Sequence, residues 1–212
     1  MGAAPEQLII FGCGGHARVV LESALASWPG CAIAVLDDDP QAQARNLLGH
    51  EVAGGREWLR SNWPDAAVAP ALGGNDARAE LIAWLAQVGR PLATIIHPSA
   101  VVSPSATLAG GSFVAPGAVV NAQSRIGIGA IVNTSASIDH DCVIGDSAHI
   151  GPGAHLCGGV TVGERTLVGV GTSVVPGVTI GARVTIGAGS SVIGDIADGA
   201  RVAGCPARPL RF

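Results

Sequence analysis

Lysine and tyrosine are absent from this 212-residue chain, and every positive charge is an arginine. Aromatic residues make up 3% and charged residues 13% of the sequence, against roughly a quarter charged in ordinary soluble domains. Without lysine, and with a net charge of −4, there is no basic stripe to hold a nucleic acid. With so few aromatics, the core must be filled by small aliphatic side chains. Mean hydropathy is high at +0.44, yet Gly, Pro, Ser or a charge breaks every apolar run before 18 residues, which excludes a membrane-spanning segment. Met1–Gln7 lacks a basic n-region and Leu8–Phe11 is too short for a signal core, so a cytoplasmic protein is expected. The five cysteines (13, 31, 142, 157 and 205) are odd in number and form no CxxC pair, which argues against a disulfide framework and a zinc ribbon.

What the chain has in abundance is a repeat. Stepping by six from Ile96 to Val192 meets Ile, Leu or Val at all 17 positions. The parallel column from Ala100 to Ile196 is small or β-branched throughout. A period of six fits neither an α-helix nor a flat strand, but it fits a solenoid of short strands separated by turns. One aliphatic residue per strand points to the axis and a small residue fills each corner. Glycine often follows the aliphatic residue, as at Gly127, Gly145, Gly163 and Gly187, where a turn is expected to need positive φ. Three hexapeptides per coil give about 18 residues per coil.

Residues 1–95 read differently. Strands are expected at Leu8–Phe11, Ala32–Leu36 and Val68–Leu72, and helices at Arg18–Ser27, Glu57–Asn62 and near Ala77–Val88. This βαβαβα order predicts a small parallel sheet covered by helices. Gly12-x-Gly14-x-x-Ala17 follows the first strand, and Asp37 lies 25 residues after Gly12, the relaxed dinucleotide fingerprint. Only one mononucleotide half fits before residue 96, so a single nucleotide is the better reading and a nicotinamide enzyme the poorer one.

Three histidines of the repeat, His140, His149 and His155, lie outside the axis-facing column and should point outward. His140 is flanked by Asp139 and Asp141, which favour the imidazolium and raise its basicity. His149 and His155 are six apart, on different faces of the solenoid, so no metal site is expected. One coil beyond His140 is Gly158, where a glycine leaves room for a thioester and offers an N–H to its oxyanion. Phe113, Ile131, His149 and Leu167 form a mostly apolar outward column, the expected mark of a subunit interface.

Taken together, Gly12-Cys13-Gly14-Gly15-His16, Leu36-Asp37-Asp38, Leu72-Gly73-Gly74-Asn75, Asn133-Thr134-Ser135, Ile138-Asp139-His140-Asp141-Cys142 and Gly204-Cys205-Pro206-Ala207-Arg208 resemble the nucleotide-sugar N-acetyltransferases of the bacillosamine and perosamine type. The resemblance implies a half-Rossmann-like α/β domain over 1–95, a left-handed parallel β-helix over 96–197 and a C-terminal tail over 198–212. It implies a cytoplasmic homotrimer that transfers acetyl from acetyl-CoA to a UDP-, GDP- or dTDP-linked amino sugar, with no metal, nucleic acid or membrane partner. It implies His140 as general base oriented by Asp141, where the family often has Glu. It further implies acetyl-CoA contacts at His149, Gly158, Val170 and Ala188, and at Arg208 for the adenosine phosphates. Sugar-nucleotide contacts are implied at Gly14, Gly15, His16, Asp37, Asp38, Gly73, Asn133 and Asp139. Sialic-acid O-acetyltransferases share the architecture, so a sugar O-acetyltransferase is the near alternative. A non-catalytic or metal-binding β-helix is the distant one.

Overall fold

The computed structural model describes residues 5–42 and 45–210; the ends of the expected first and last segments, including Met1–Ala4, lie outside them. The chain divides into two compact units, one ending at Pro98 and the other beginning at Ser99.

The first unit is built on β1 (Gln7–Phe11), α1 (Gly15–Ser27), β2 (Ala32–Leu36), β3 (Asn46–Leu47), β4 (His50–Gly54), α2 (Arg56–Ser61), β5 (Ala67–Pro70) and α3 (Asn75–Gln87). The sheet order is β3-β4-β2-β1-β5, with β4, β2, β1 and β5 mutually parallel. Leu8, Ile9, Ile10 and Phe11 of the central strand are all buried, which is why it reads as an uninterrupted apolar run rather than an alternating one. Ile9, Phe11, Leu36 and Val68 form one core with Leu59 of α2 and Leu81 and Leu85 of α3, flanked by Trp58, Trp63 and Trp84.

The expected three-strand order misses the β3–β4 hairpin. That hairpin turns through Leu48 (φ 50°) and Gly49 (φ 92°), and Asn46 Oδ1 accepts the Gly49 N–H at 2.5 Å. Two positive φ values in succession define the tight hairpin turn. Its strands are short and largely exposed, so they leave no hydrophobic pattern in the sequence.

In the second unit, the two-residue strands recur every six residues and stack every 18. Ile131–Val132 pairs with His149–Ile150, Ser137–Ile138 with His155–Leu156, and Val143–Ile144 with Thr161–Val162, all parallel. Three parallel sheets result, one per face of a triangular solenoid. The axis column is buried from Val114 to Val192, and the corner column from Ser112 to Ser190. Small aliphatics suffice because the lumen of a three-sided coil is narrow. The ladder runs past the last hexapeptide: Arg201–Ala203 pairs with Thr185–Ile186, and Arg208–Pro209 closes the end antiparallel to it.

The turns differ from expectation. Gly127, Gly145, Gly163 and Gly187 do not adopt positive φ. The left-handed residue is two positions later, at every sixth residue from Gly111 to Gly189, and includes Gln123, Ser135, Asp141, Ser147, Arg165 and Arg183. The glycines after the aliphatic residues instead serve close coil-to-coil approach. A Cβ on Gly127 would lie 2.6 Å from Asp146 Oδ1, and one on Gly145 2.6 Å from the Glu164 nitrogen. The left-handed residues donate their N–H to the coil before, as Asp141 does to Ala122 O at 3.0 Å and Gly159 to His140 O at 2.9 Å.

Two glycine substitutions separate these demands. Gly177 sits at φ 73° with open space around a Cβ, so Gly177→Ala should cost about 1–2 kcal/mol of backbone strain. Gly145→Ala forces the next coil's backbone to move and should lower the melting temperature further. Thermal denaturation of both variants checks the order.

Candidate active site

The candidate catalytic residues occupy one corner of the solenoid, between the strands Ser137–Ile138 and Val143–Ile144. His140 is the residue before the left-handed position, and Asp141 (φ 58°) is that position. Aspartate is among the residues that tolerate this conformation best. The bend brings the Asp141 carboxylate back onto its neighbour: His140 Nδ1 donates to Asp141 Oδ2 at 2.8 Å. The shorter carboxylate therefore reaches the ring without the extra methylene of Glu.

Asp139 completes the corner. Its Oδ1 accepts the His140 backbone N–H at 2.8 Å and an Asn121 Nδ2 proton at 3.2 Å. Its carbonyl accepts from Ser124 Oγ at 2.6 Å. The hydrogen bond to Asp141, and then the charge of Asp139, raise the His140 pKa above the ordinary imidazole value. The ring itself is well exposed, with 62% of the side chain accessible.

Gly158 lies one coil on, as the 18-residue stacking requires, but its space is not left for a thioester. A Cβ there would lie 2.5 Å from both His140 Cε1 and Nε2. The room is filled by the imidazole itself. With Nδ1 bound to Asp141, Nε2 is the acceptor end of the ring, and it lies over bare backbone.

Asn133 and His149 form a second pair, with Asn133 Nδ2 and His149 Nε2 2.9 Å apart. His149 stands on the face that also carries Ile131 and Leu167, and Asn133 begins the adjoining corner. A whole face, carrying Ser137–Ile138, separates this corner from that of His140 within one chain. The outward column expected to be an exposed apolar stripe is less open than predicted. Phe113 and Ile131 are 4% and 1% exposed within the chain, whereas His149 and Leu167 are half-buried. Val170 and Ala188 are exposed on successive coils, joined by the Gly189 N–H to Val170 O bond at 2.8 Å. Arg208 lies in the closing strand and lines a cleft with Ile193, Asp195 and Ala207. His155 stays on the surface, bonded through Nδ1 to Ser137 Oγ at 2.8 Å.

In the first unit, the loops after β1, β2 and β5 meet at the carboxyl edge of the sheet, where ligands bind in such folds. Gly12 (φ 126°) packs against Ala71, where a Cβ would lie 2.8 Å from Ala71 O. Gly14 and Gly15 face open space, and Gly73 lies beside His16, a Cβ there being 3.6 Å from His16 Cβ. α1 begins at Gly15 without a side-chain cap, leaving its first N–H groups for an anion. Asp37 and Asp38, expected to face a nucleotide, both have structural work. Asp37 accepts the backbone N–H of Cys13 at 2.7 Å and of Asp39 at 2.9 Å, tying the first two loops together. Asp38 is bound to Arg56 through its backbone N–H at 2.9 Å and its Nε at 2.8 Å.

Sequence reading missed Arg56 and Arg78. Arg56 stacks over Trp84 at 5.1 Å as well as pairing with Asp38. Arg78 is wholly buried beneath the loop after β5. Neither belongs to a motif, and an arginine on a helix ordinarily reads as a solvated surface residue.

All five cysteines are free thiols. Among the described residues, no helix is long and apolar enough to cross a membrane, and no three His, Cys, Asp or Glu side chains are grouped to hold a metal ion.

A three-sided parallel solenoid carrying a histidine–carboxylate pair on a corner, joined to a small parallel α/β unit, defines a hexapeptide-repeat acyltransferase. The family models agree: the PglD N-terminal domain matches residues 7–85, and the bacterial transferase hexapeptide (six repeats) matches residues 141–174. A histidine-to-asparagine mutant of perosamine N-acetyltransferase from Caulobacter crescentus, solved with CoA and GDP-perosamine, is 42% identical. It aligns over 97% of both chains with a TM-score of 0.90. The acetyltransferase domain of PglB from Neisseria gonorrhoeae, solved with acetyl coenzyme A, is 40% identical over 97% of this chain and 100% of that one, also with a TM-score of 0.90. UDP-N-acetylbacillosamine N-acetyltransferase of Bacillus subtilis is 38% identical over 119 residues, so that the match spans only about half the length of that curated relative (51% of each chain). The solenoid is accordingly a left-handed parallel β-helix, and the chain belongs to the hexapeptide-repeat nucleotide-sugar N-acetyltransferases.

The His140 corner makes a titration prediction. Asp141→Asn removes the first cause of the raised pKa while leaving Asp139 in place. The His140 pKa, followed by NMR, should fall in the variant towards the ordinary imidazole value of about 6.5. An unchanged titration would show that the ring does not depend on Asp141.

Proposed function

We propose that this protein transfers the acetyl group of acetyl-CoA to the amino group of a nucleotide-linked 4-amino-4,6-dideoxy sugar. The observation that carries the reading is the His140 imidazole held at 2.8 Å by Asp141, its Nε2 edge lying over Gly158.

In this reading, His140 Nε2 takes a proton from the sugar's ammonium or from its attacking amine. Asp141 holds Nδ1–H, fixing the tautomer and stabilising the imidazolium that forms. The amine attacks the thioester carbonyl, the C–S bond breaks, and CoA leaves as the thiol after protonation. The Gly158 N–H serves the developing oxyanion. Asn133 and Asp139 contact the sugar, and His149 the thioester end of the cofactor. Val170 and Ala188 line the pantetheine groove, and Arg208 meets the adenosine phosphates. In the first unit, Gly14, Gly15 and His16 hold the phosphates, Gly73 allows close approach, and the Asp37–Asp38 loop borders the base or ribose. The solved perosamine relative with CoA and GDP-perosamine supports this class of substrates.

The working unit is a homotrimer in this proposal. His140 and the Asn133–His149 pair stand on different parts of the solenoid within one chain, so a site using both is completed across a subunit interface. The protein acts in the cytoplasm, a reducing compartment that suits five unpaired thiols.

The decisive assay is thiol release from acetyl-CoA with UDP-, GDP- and dTDP-linked 4-amino sugars beside hydroxyl-bearing sugars. Turnover confined to hydroxyl acceptors would move the reading to O-acetylation, and none with any acceptor would overturn it. With the amino substrate, His140→Ala should lower kcat by about 10²–10⁴-fold without loss of the folded trimer. The wild-type kcat/KM should rise with pH as His140 loses its proton. Because its pKa is raised, that rise should be centred above the ordinary histidine value.

Ala188→Trp should raise KM for acetyl-CoA, while calorimetric binding of the nucleotide sugar stays intact. An unchanged acetyl-CoA KM in a trimeric variant would move the groove to another face.

A further inference from the structure

Arg78 is the only charged side chain among the described residues that is fully buried. It lies on α3, one helical turn before Leu81, in a position where an apolar side chain would serve the packing of the helix on the sheet. Burial lowers its pKa from 12.5 to about 10, a sign of how poorly the site solvates a charge. Such a group persists only where its donors are matched.

The matches all lie in one loop. Arg78 Nη1 donates to Leu72 O at 2.8 Å and to Gly73 O at 3.2 Å, and Nη2 to Asn75 Oδ1 at 2.9 Å. Two consecutive carbonyls are thereby turned towards α3. A trans peptide directs its N–H opposite to its C=O. The N–H groups of Gly73 and Gly74 are therefore turned away from Arg78. Gly73 faces His16, and the same loop begins at Ala71, on which Gly12 packs. Arg78 thus fixes, from inside, the loop that stands beside the Gly12–His16 turn.

We propose that Arg78 is a positioning residue for the nucleotide sugar: from beneath the loop after β5 it presents the Gly73 and Gly74 amides, with a buried positive charge behind them, to the diphosphate. The proposal rests on the nucleotide-sugar reading above. Arg78 touches no ligand itself; it acts through the loop.

The test compares the whole wild-type protein with Arg78→Met, Arg78→Lys and Asn75→Ala. The last removes one side-chain partner and guards against a failure of Arg78→Met to fold. Binding of UDP, GDP and dTDP is measured by calorimetry, KM is measured separately for nucleotide sugar and acetyl-CoA, and exchange of the Gly73 and Gly74 amides is followed by mass spectrometry. Arg78→Met should weaken nucleoside diphosphate binding and raise the sugar KM by about tenfold or more, leave the acetyl-CoA KM within about twofold, and speed exchange in the loop. Arg78→Lys should recover part of the loss, and Asn75→Ala should show a smaller effect of the same kind. If the wild type binds a nucleoside diphosphate and the folded variants bind it equally well, the role of Arg78 is overturned and the nucleotide reading stands. Equal losses for nucleotide sugar and acetyl-CoA would also overturn it, marking Arg78 as a general stabiliser. If the wild type binds none of the three, the nucleotide reading fails and this inference falls with it.

Discussion

The solenoid depends on one repeated contact: the backbone of each coil hydrogen-bonded to the coil 18 residues away, with a left-handed residue at every corner. The strands are only two residues long, too short to specify anything alone. They gain register because each corner donates its N–H to the previous coil and each strand donates to the next. Once that pitch is set, position in the sequence becomes position in space. His140 must lie over Gly158, and Asn121 must lie beneath Asp139, to which it is bonded at 3.2 Å. The catalytic corner is therefore an ordinary corner of the helix with unusual side chains. Its backbone strain at Asp141 is the same left-handed φ that the other corners carry.

The α/β unit works by the opposite logic. Its loops are irregular, and their shape is held by buried polar contacts rather than by a repeat. Asp37 ties the first loop to the second, Asp38 is pinned by Arg56, and Arg78 holds the third from below. A side chain consumed in this way costs desolvation but fixes a loop that no hydrophobic contact orders. The same carboxylates can border a ligand only through what their fixed oxygens leave uncovered, so backbone N–H groups remain the main recognition surface at this sheet edge.

The solenoid was legible because a period of six leaves an imprint in every residue. The axis column from Ile96 and the corner column from Ala100 gave strands, coil height and burial without any outside knowledge. His140 stood out because two aspartates flank it. Legibility failed where structure is set by contacts distant in sequence. The β3–β4 hairpin lacks an apolar pattern, so nothing marked it. The glycines after the axis residues were correctly seen as special, but for the wrong reason: their need is the closeness of the next coil, which the local sequence does not display. Arg78 was invisible for a similar cause, since its partners Leu72, Gly73 and Asn75 are recognised only once the helix is docked. Phe113 and Ile131 were placed correctly outside the lumen, yet their burial within the chain could not be read from the column alone.

The electrostatics of the His140 corner follow from its exposure. Most catalytic histidines and carboxylates are tuned by burial, which for histidine lowers the pKa and weakens the base. Here the ring is largely exposed and is tuned upward by two carboxylates. Asp141 contributes a hydrogen bond that also sets the tautomer, whereas Asp139, facing the backbone, contributes charge. A stronger base removes a proton more readily but is neutral in a smaller fraction of molecules at neutral pH. Covering the ring by substrate or by a neighbouring subunit adds desolvation, which acts against the carboxylates and returns the neutral form. The exposed corner and the acidic flanks are thus complementary: the aspartates supply basicity in advance, and assembly of the complex removes the water that would otherwise keep the imidazolium charged.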